Sequence, residues 1–81
     1  MDPQEIIHGK RLLIVDDEED VLETLIEHLS MCRIDTATTF EEGKKLLEGR
    51  TYDVAVLDIM GVRGFDLLDI ARARGMPALM L

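Results

Sequence analysis

The chain has 81 residues, room for one small domain. Apolar residues make up 47% and only three residues are aromatic, so the sequence asks for an aliphatic core and excludes an intrinsically disordered chain. Nine basic against seventeen acidic residues leave a net charge of −8, which opposes binding to nucleic acid or anionic membrane through the bulk surface and favours attraction of cations.

Residues 1–9 read as a polar lead-in, with His8 in it and no evident partner for that side chain. The opening stretch MDPQEIIHGKR has no apolar run of signal-peptide length. No window approaches the roughly 20 apolar residues of a membrane span, so the expected location is the cytoplasm. Cys32 is the only cysteine. That excludes an internal disulfide, suits a reducing compartment, and leaves Cys32 as a small apolar residue at or near the core.

Arg11 to Val15 is a compact apolar run stopped by acids, as expected of a strand covered on both faces. Residues 19–31 change period. Val21, Leu22, Leu25, Ile26 and Leu29 fall at helical spacing, with Glu23, Glu27 and His28 opposite, His28 exposed to solvent. Asp17 is the expected N-cap, and Glu18, Glu19 and Asp20 suit the positive first turn. Ile34 to Thr38 reads as a short, more polar strand near an edge. Thr39-Phe40-Glu41-Glu42 has the capping-box pattern and opens a helix that runs to about Glu48 and stops at Gly49. Val54 to Leu57 is a third strand, closed by Asp58. Ile59 to Gly64 is a loop. Phe65 to Arg74 is a third helix, with Leu67, Leu68, Ile70 and Ala71 as its apolar positions. Gly75-Met76-Pro77 ends it, and Ala78 to Leu81 forms a fourth strand. Met31, Met76 and Met80 suit the core or its boundary. The order β-α-β-α-β-α-β predicts an α/β fold, a parallel sheet with helices on both faces.

Ligands in open parallel sheets gather at the carboxyl ends of the strands. Asp16-Asp17 ends the first strand and Asp58 the third. If those strands are neighbours, three carboxylates converge and repel one another unless a cation joins them. Mg²⁺ suits such an all-oxygen site. A carboxylate there can also act as a nucleophile toward phosphorus, a reaction governed by positioning and charge neutralisation. A purely structural reading fits Glu18-Glu19-Asp20 as charges at a helix start. It fits Asp16 and Asp58 less well: Asp16 has no evident capping need, and Asp58 lies several residues ahead of the next helix.

The stretches LLIVDDEEDV, YDVAVLDIM and MPALML resemble the first, third and fourth strands of bacterial two-component response-regulator receiver domains, and the resemblance covers essentially residues 10–81. It implies a flavodoxin-like sheet of order 2-1-3-4. It implies that Asp58 accepts a phosphoryl group from a sensor histidine kinase. It also implies that Asp17 ligates Mg²⁺ directly, Asp16 largely through water, and Met60 through its backbone carbonyl. Such a domain is a phospho-acceptor rather than an enzyme, at most catalysing its own Mg²⁺-dependent phosphorylation and dephosphorylation.

The sequence departs from the family in two places. After Asp58 it reaches the next helix about two residues early and without the usual proline. Gly61 and Gly64 are expected to give this loop freedom, and Arg63 to be solvated rather than directed at a phosphate. The family's switch Ser/Thr, its later lysine, and its fourth helix, fifth strand and fifth helix have no counterpart in residues 1–81. The expectation is a partial receiver domain over residues 10–81, impaired in signalling, whose exposed fourth strand favours a homo-oligomer or element-swapped dimer. Among competing functions, a haloacid-dehalogenase-type phosphohydrolase wants Asp-x-Asp after the first strand. A nucleotide site wants a glycine-rich turn there. The remaining rival is a non-phosphorylated protein-interaction domain on the same fold.

Overall fold

The structure is a computed structural model that describes residues 9–58, 60–61 and 63–81. Apart from Gly9, the expected lead-in with His8 lies outside these residues, as do Ile59 and Val62. The elements are β1 (Arg11–Val15), α1 (Glu19–His28), β2 (Arg33–Ala37), α2 (Phe40–Gly49), β3 (Val54–Leu57), α3 (Gly64–Ala73) and β4 (Ala78–Met80). All pairings are parallel, in the order β2-β1-β3-β4, so the flavodoxin-like order 2-1-3-4 is the observed one.

The sheet divides the core in two. Leu13, Val15, Ala55 and Leu57 pack with Leu47 of α2 and Leu67 and Ala71 of α3. Ile14 and Val56, on the other face, pack with Leu22 of α1. Alternation along each strand produces this split, because successive side chains point to opposite faces. Both faces being covered explains why β1 and β3 read as unbroken apolar runs. The α1 face is the thinner one. Leu79 of β4 is in register with Val56 yet remains 60% exposed, and Ile26, expected on the buried stripe of α1, is 41% exposed.

Gly43 sits in the middle of α2, where glycine usually costs stability. A Cβ there would meet Val15 Cγ2 at 3.2 Å and Leu67 Cδ1 at 3.3 Å. The glycine therefore lets α2 press closely on β1 and α3.

Several boundaries differ from the sequence reading. Asp17 is not the N-cap of α1; Glu18 holds that position in extended conformation with no side-chain cap bond. The helix ends at His28 rather than residue 31, with the Leu29 N–H donating to the Leu25 carbonyl. Strand β2 begins one residue earlier than expected, at Arg33. The capping box survives in part: Thr39 Oγ1 accepts from the Glu42 N–H, while the Glu42 carboxylate takes the Thr38 and Thr39 hydroxyls. Gly49 does not stop α2 in a left-handed turn. It is the helix's last residue, and extended Arg50 follows. Glycine does end α3, where Gly75 has φ +70°.

At the amino-terminal end of the sheet, Tyr52 Oη donates to Asp35 Oδ2 (2.7 Å) and Arg50 Nη1 donates to the same oxygen (3.0 Å). The Tyr52 hydrogen bond, with help from Arg50, holds the Asp35 carboxyl below its ordinary value against a smaller opposing effect of burial. Burial, then the bond to Asp35, pushes the Tyr52 hydroxyl up to about 12. The unfolded chain therefore releases the Tyr52 proton near its ordinary value of 10.0 and the folded chain about two units later, so stability falls with rising pH across that window. At the acid end, the Asp35 contribution is present above the ordinary carboxylate range and lost as pH falls through its lowered value. Tyr52→Phe should cost about 1 kcal/mol at neutral pH. It should also flatten the loss between about pH 10 and 12, as read by urea denaturation at each pH. An alkaline limb as steep as the wild type's would show that the Tyr52 proton is not involved.

Candidate functional site

The backbone ladder delivers the acids. The Asp16 N–H donates to the Ala37 carbonyl (3.1 Å) and the Asp58 N–H to the Val15 carbonyl (3.0 Å). Both residues thus occupy the last rungs at the carboxyl ends of adjacent strands β1 and β3, where their side chains leave the sheet together. Asp16, Asp17 and Asp58 each offer a carboxylate oxygen within 4.8 Å of the others. The sequence expected this convergence, and the structure contains it.

The three acids sit in different surroundings. Asp16 is 7% exposed, Asp58 half-buried and Asp17 exposed. Asp16 Oδ1 accepts the Glu18 N–H at 2.9 Å. Asp16 therefore does have a structural duty, contrary to the sequence reading: it closes an Asx turn between β1 and α1. An acid two residues ahead of an uncapped helix start was the available signal. Asp58 Oδ1 accepts the Met60 N–H at 3.1 Å, a contact with no distinctive sequence mark. Among the described residues, the second oxygen of each of these carboxylates takes no backbone bond.

Gly61 also differs from expectation. Its φ is not positive, so it is not chosen for unusual backbone freedom. A Cβ at this position would lie 2.6 Å from Asp58 Oδ2 and 3.2 Å from Asp17 Oδ1. The residue is a glycine because the loop passes directly over the carboxylates. Arg63 is exposed, as expected, and also makes two contacts with its neighbours. Its Nε donates to Asp66 Oδ2 at 2.8 Å, and its Cζ lies 3.9 Å from the centre of the Phe40 ring. It holds the only positive φ among described non-glycine residues, 52°.

Among the described residues, neither ion pair in the structure involves the acidic cluster. The donor set fits a hard divalent cation. Octahedral Mg²⁺ with oxygens at about 2.1 Å places its ligands roughly 3 to 4 Å apart, a range that 4.8 Å spacing can close by small side-chain rotations.

No protein-family model matches the chain. The heme response regulator HssR of Staphylococcus aureus (strain Newman) is 38% identical over 74 residues, covering 85% of this chain and 33% of that protein. The response regulator TrrA of Thermotoga maritima, solved in complex with Mg²⁺-BeF, superposes with a TM-score of 0.75 at 36% identity, over 88% of this chain and 65% of that one. A CheY-like receiver domain from Methanospirillum hungatei JF-1 has a TM-score of 0.76 at 31% identity, over 89% and 62%. The chain belongs to the CheY-like response-regulator receiver domains. It spans about a third of HssR and under two thirds of these solved receiver chains. Receiver domains are signalling phospho-acceptors of two-component systems and partners of histidine kinases, and this chain's four-stranded sheet and acidic cluster are consistent with that role. No helix among the described residues is long and apolar enough to cross a membrane.

Proposed function

We propose that Asp58 is the phospho-acceptor of this receiver domain, taking its phosphoryl group from a sensor histidine kinase in the cytoplasm. The receiver unit spans residues 10–81, with residues 1–9 as its lead-in. The observation that carries the proposal is the meeting of three carboxylate oxygens within 4.8 Å at the ends of β1 and β3.

Asp16, Asp17, Asp58 and the Met60 backbone carbonyl are the proposed Mg²⁺ ligands, and the TrrA complex with Mg²⁺-BeF supports that choice of ion. Bound Mg²⁺ would neutralise charge on the carboxylates and the incoming phosphoryl group. The chain's own residues do the rest. The Met60 N–H holds Asp58 Oδ1 and fixes the carboxylate, leaving Oδ2 as the freer oxygen. That oxygen forms the new bond to phosphorus as the bond to the phosphohistidine nitrogen breaks, and the leaving imidazole takes a proton from solvent. The absence of a Cβ at Gly61 leaves space beside Oδ2.

Acetyl phosphate can replace the kinase in a test. The chain in Mg²⁺ should gain the mass of one phosphoryl group, mapped to Asp58, and chelation of Mg²⁺ should prevent the gain. Modification elsewhere, or a gain indifferent to chelation, would refute the assignment.

A second reading, a protein-interaction domain that is not phosphorylated, draws on the open edge of β4, with Leu79 60% and Leu81 56% exposed. Strand edges and apolar patches of this kind recruit other chains. Self-association of the 81-residue chain is compatible with either reading. Light scattering after size exclusion should give a mass above the monomer at high concentration, and a monomer throughout would rule that out. Mg²⁺ titration separates the two functions, since only the phospho-acceptor needs the metal.

A further inference from the structure

At the opposite end of the sheet from the acidic cluster, Arg11 and Arg33 open β1 and β2. They are partners in the parallel register and so stand side by side on one face. With Arg50, just past α2, they line a cavity of about 520 Å³ whose wall also includes Ile34, Asp35 and Tyr52. Three of the chain's nine basic residues thus share one cavity in a protein of net charge −8.

The cavity is positively charged. Among the described residues on the wall, three arginines against one aspartate, Asp35, leave +2 (3 − 1). The Asp35 Oδ2 atom already accepts from Arg50 and Tyr52, which orients the Arg50 guanidinium. Asp53 lies nearby, but its Oδ2 accepts the backbone N–H of Arg11 and not the side chain. Among the described residues, neither Arg11 nor Arg33 has a side-chain ion pair. Like charges opposite one another on neighbouring strands are unfavourable by themselves. Gly49 brings the carboxyl end of α2 to the wall. Its partial charge, about half an elementary charge, is smaller than the surplus of the arginines.

We propose that this cavity binds a small phosphate ester or diphosphate, with oxygens bridging Arg11 and Arg33 and Arg50 closing the third side. Guanidinium forks match the geometry of phosphate oxygens and bind them in pairs. The volume lies within the range of small-ligand pockets, about 300–1,000 Å³, and exceeds what a single phosphate fills.

The test uses the full chain in chelator, so that the acidic cluster holds no metal, with inorganic pyrophosphate as the probe at constant ionic strength. Amide shifts in NMR should saturate and should centre on Arg11, Arg33, Arg50 and Tyr52. Arg33→Gln should weaken binding about 10-fold or more, the loss expected for charge-assisted hydrogen bonds. Arg11→Gln gives the same reading should the first variant lose its fold by circular dichroism. Lys45→Gln, on the exposed side of α2, should leave binding unchanged. Shifts that fail to saturate, that centre on residues 16, 17 and 58, or that weaken equally in Lys45→Gln would overturn the proposal.

Discussion

Asp58→Asn should make the metal-free protein more stable while abolishing both its response to Mg²⁺ and its phosphorylation. Asparagine keeps an oxygen for the Met60 N–H, so the turn after β3 survives. It removes one of three like charges held within 4.8 Å. Coulomb repulsion at that distance is about 1 to 3 kcal/mol per pair, with the lower figure suiting groups as wet as Asp17. A net gain of about 1 kcal/mol raises the melting temperature of a domain this size by roughly 4–8 °C. With Mg²⁺ the order reverses: the wild type gains stability by mass action and the variant gains little. Thermal denaturation with chelator and with excess Mg²⁺ reads both signs in one experiment. Equal Mg²⁺ stabilisation of the two proteins would remove Asp58 from the metal site. Asp16→Ala supplies the contrast. It relieves the same repulsion but strands the Glu18 N–H, so its gain in metal-free stability should be smaller than that of Asp58→Asn by about 1 kcal/mol.

What was legible in the sequence follows from how each feature is encoded. The strands and the convergence of Asp16, Asp17 and Asp58 depend on local apolar runs and on where acids interrupt them. Val15 is followed by Asp16, and Leu57 by Asp58, so strand ends and site residues are marked together. Strand order is a long-range property, and it entered through the family resemblance alone. Helix ends were harder to read because they depend on competing hydrogen bonds. Asp17 looked like the cap of α1, but Asp16 captured the Glu18 N–H two residues earlier. Contacts between distant segments left no local mark. Nothing beside Phe40 announces that Arg63 will lie over its ring, and nothing in β2 announces that Asp35 will bind Tyr52 and Arg50. The glycines show the same limit. Gly61 reads as a point of freedom in the sequence, yet it and Gly43 are points of close approach in the fold.

Gly61→Ala tests that last distinction at the site itself. A Cβ would meet Asp58 Oδ2 at 2.6 Å, a distance that forces one of them to move. The carboxylate cannot rotate away freely, because its Oδ1 holds the Met60 N–H. It must either give up that bond or turn Oδ2 away from Asp17 and Asp16. Either movement opens the oxygen cluster that Mg²⁺ would join. Misplacement on the scale of 1 Å costs up to about 100-fold in positioning-dependent reactions, so Mg²⁺ affinity and the rate of phosphorylation by acetyl phosphate should each fall about 10- to 100-fold. Stability in chelator should change much less. The φ of Gly61 is not positive, and alanine restricts the unfolded chain by about 0.4–1 kcal/mol, offsetting part of the clash. A loss of Mg²⁺ binding with near-normal metal-free stability marks Gly61 as part of the site's shape. If the residue serves instead as a flexible hinge, alanine leaves Mg²⁺ affinity intact and slows only the phosphorylation step.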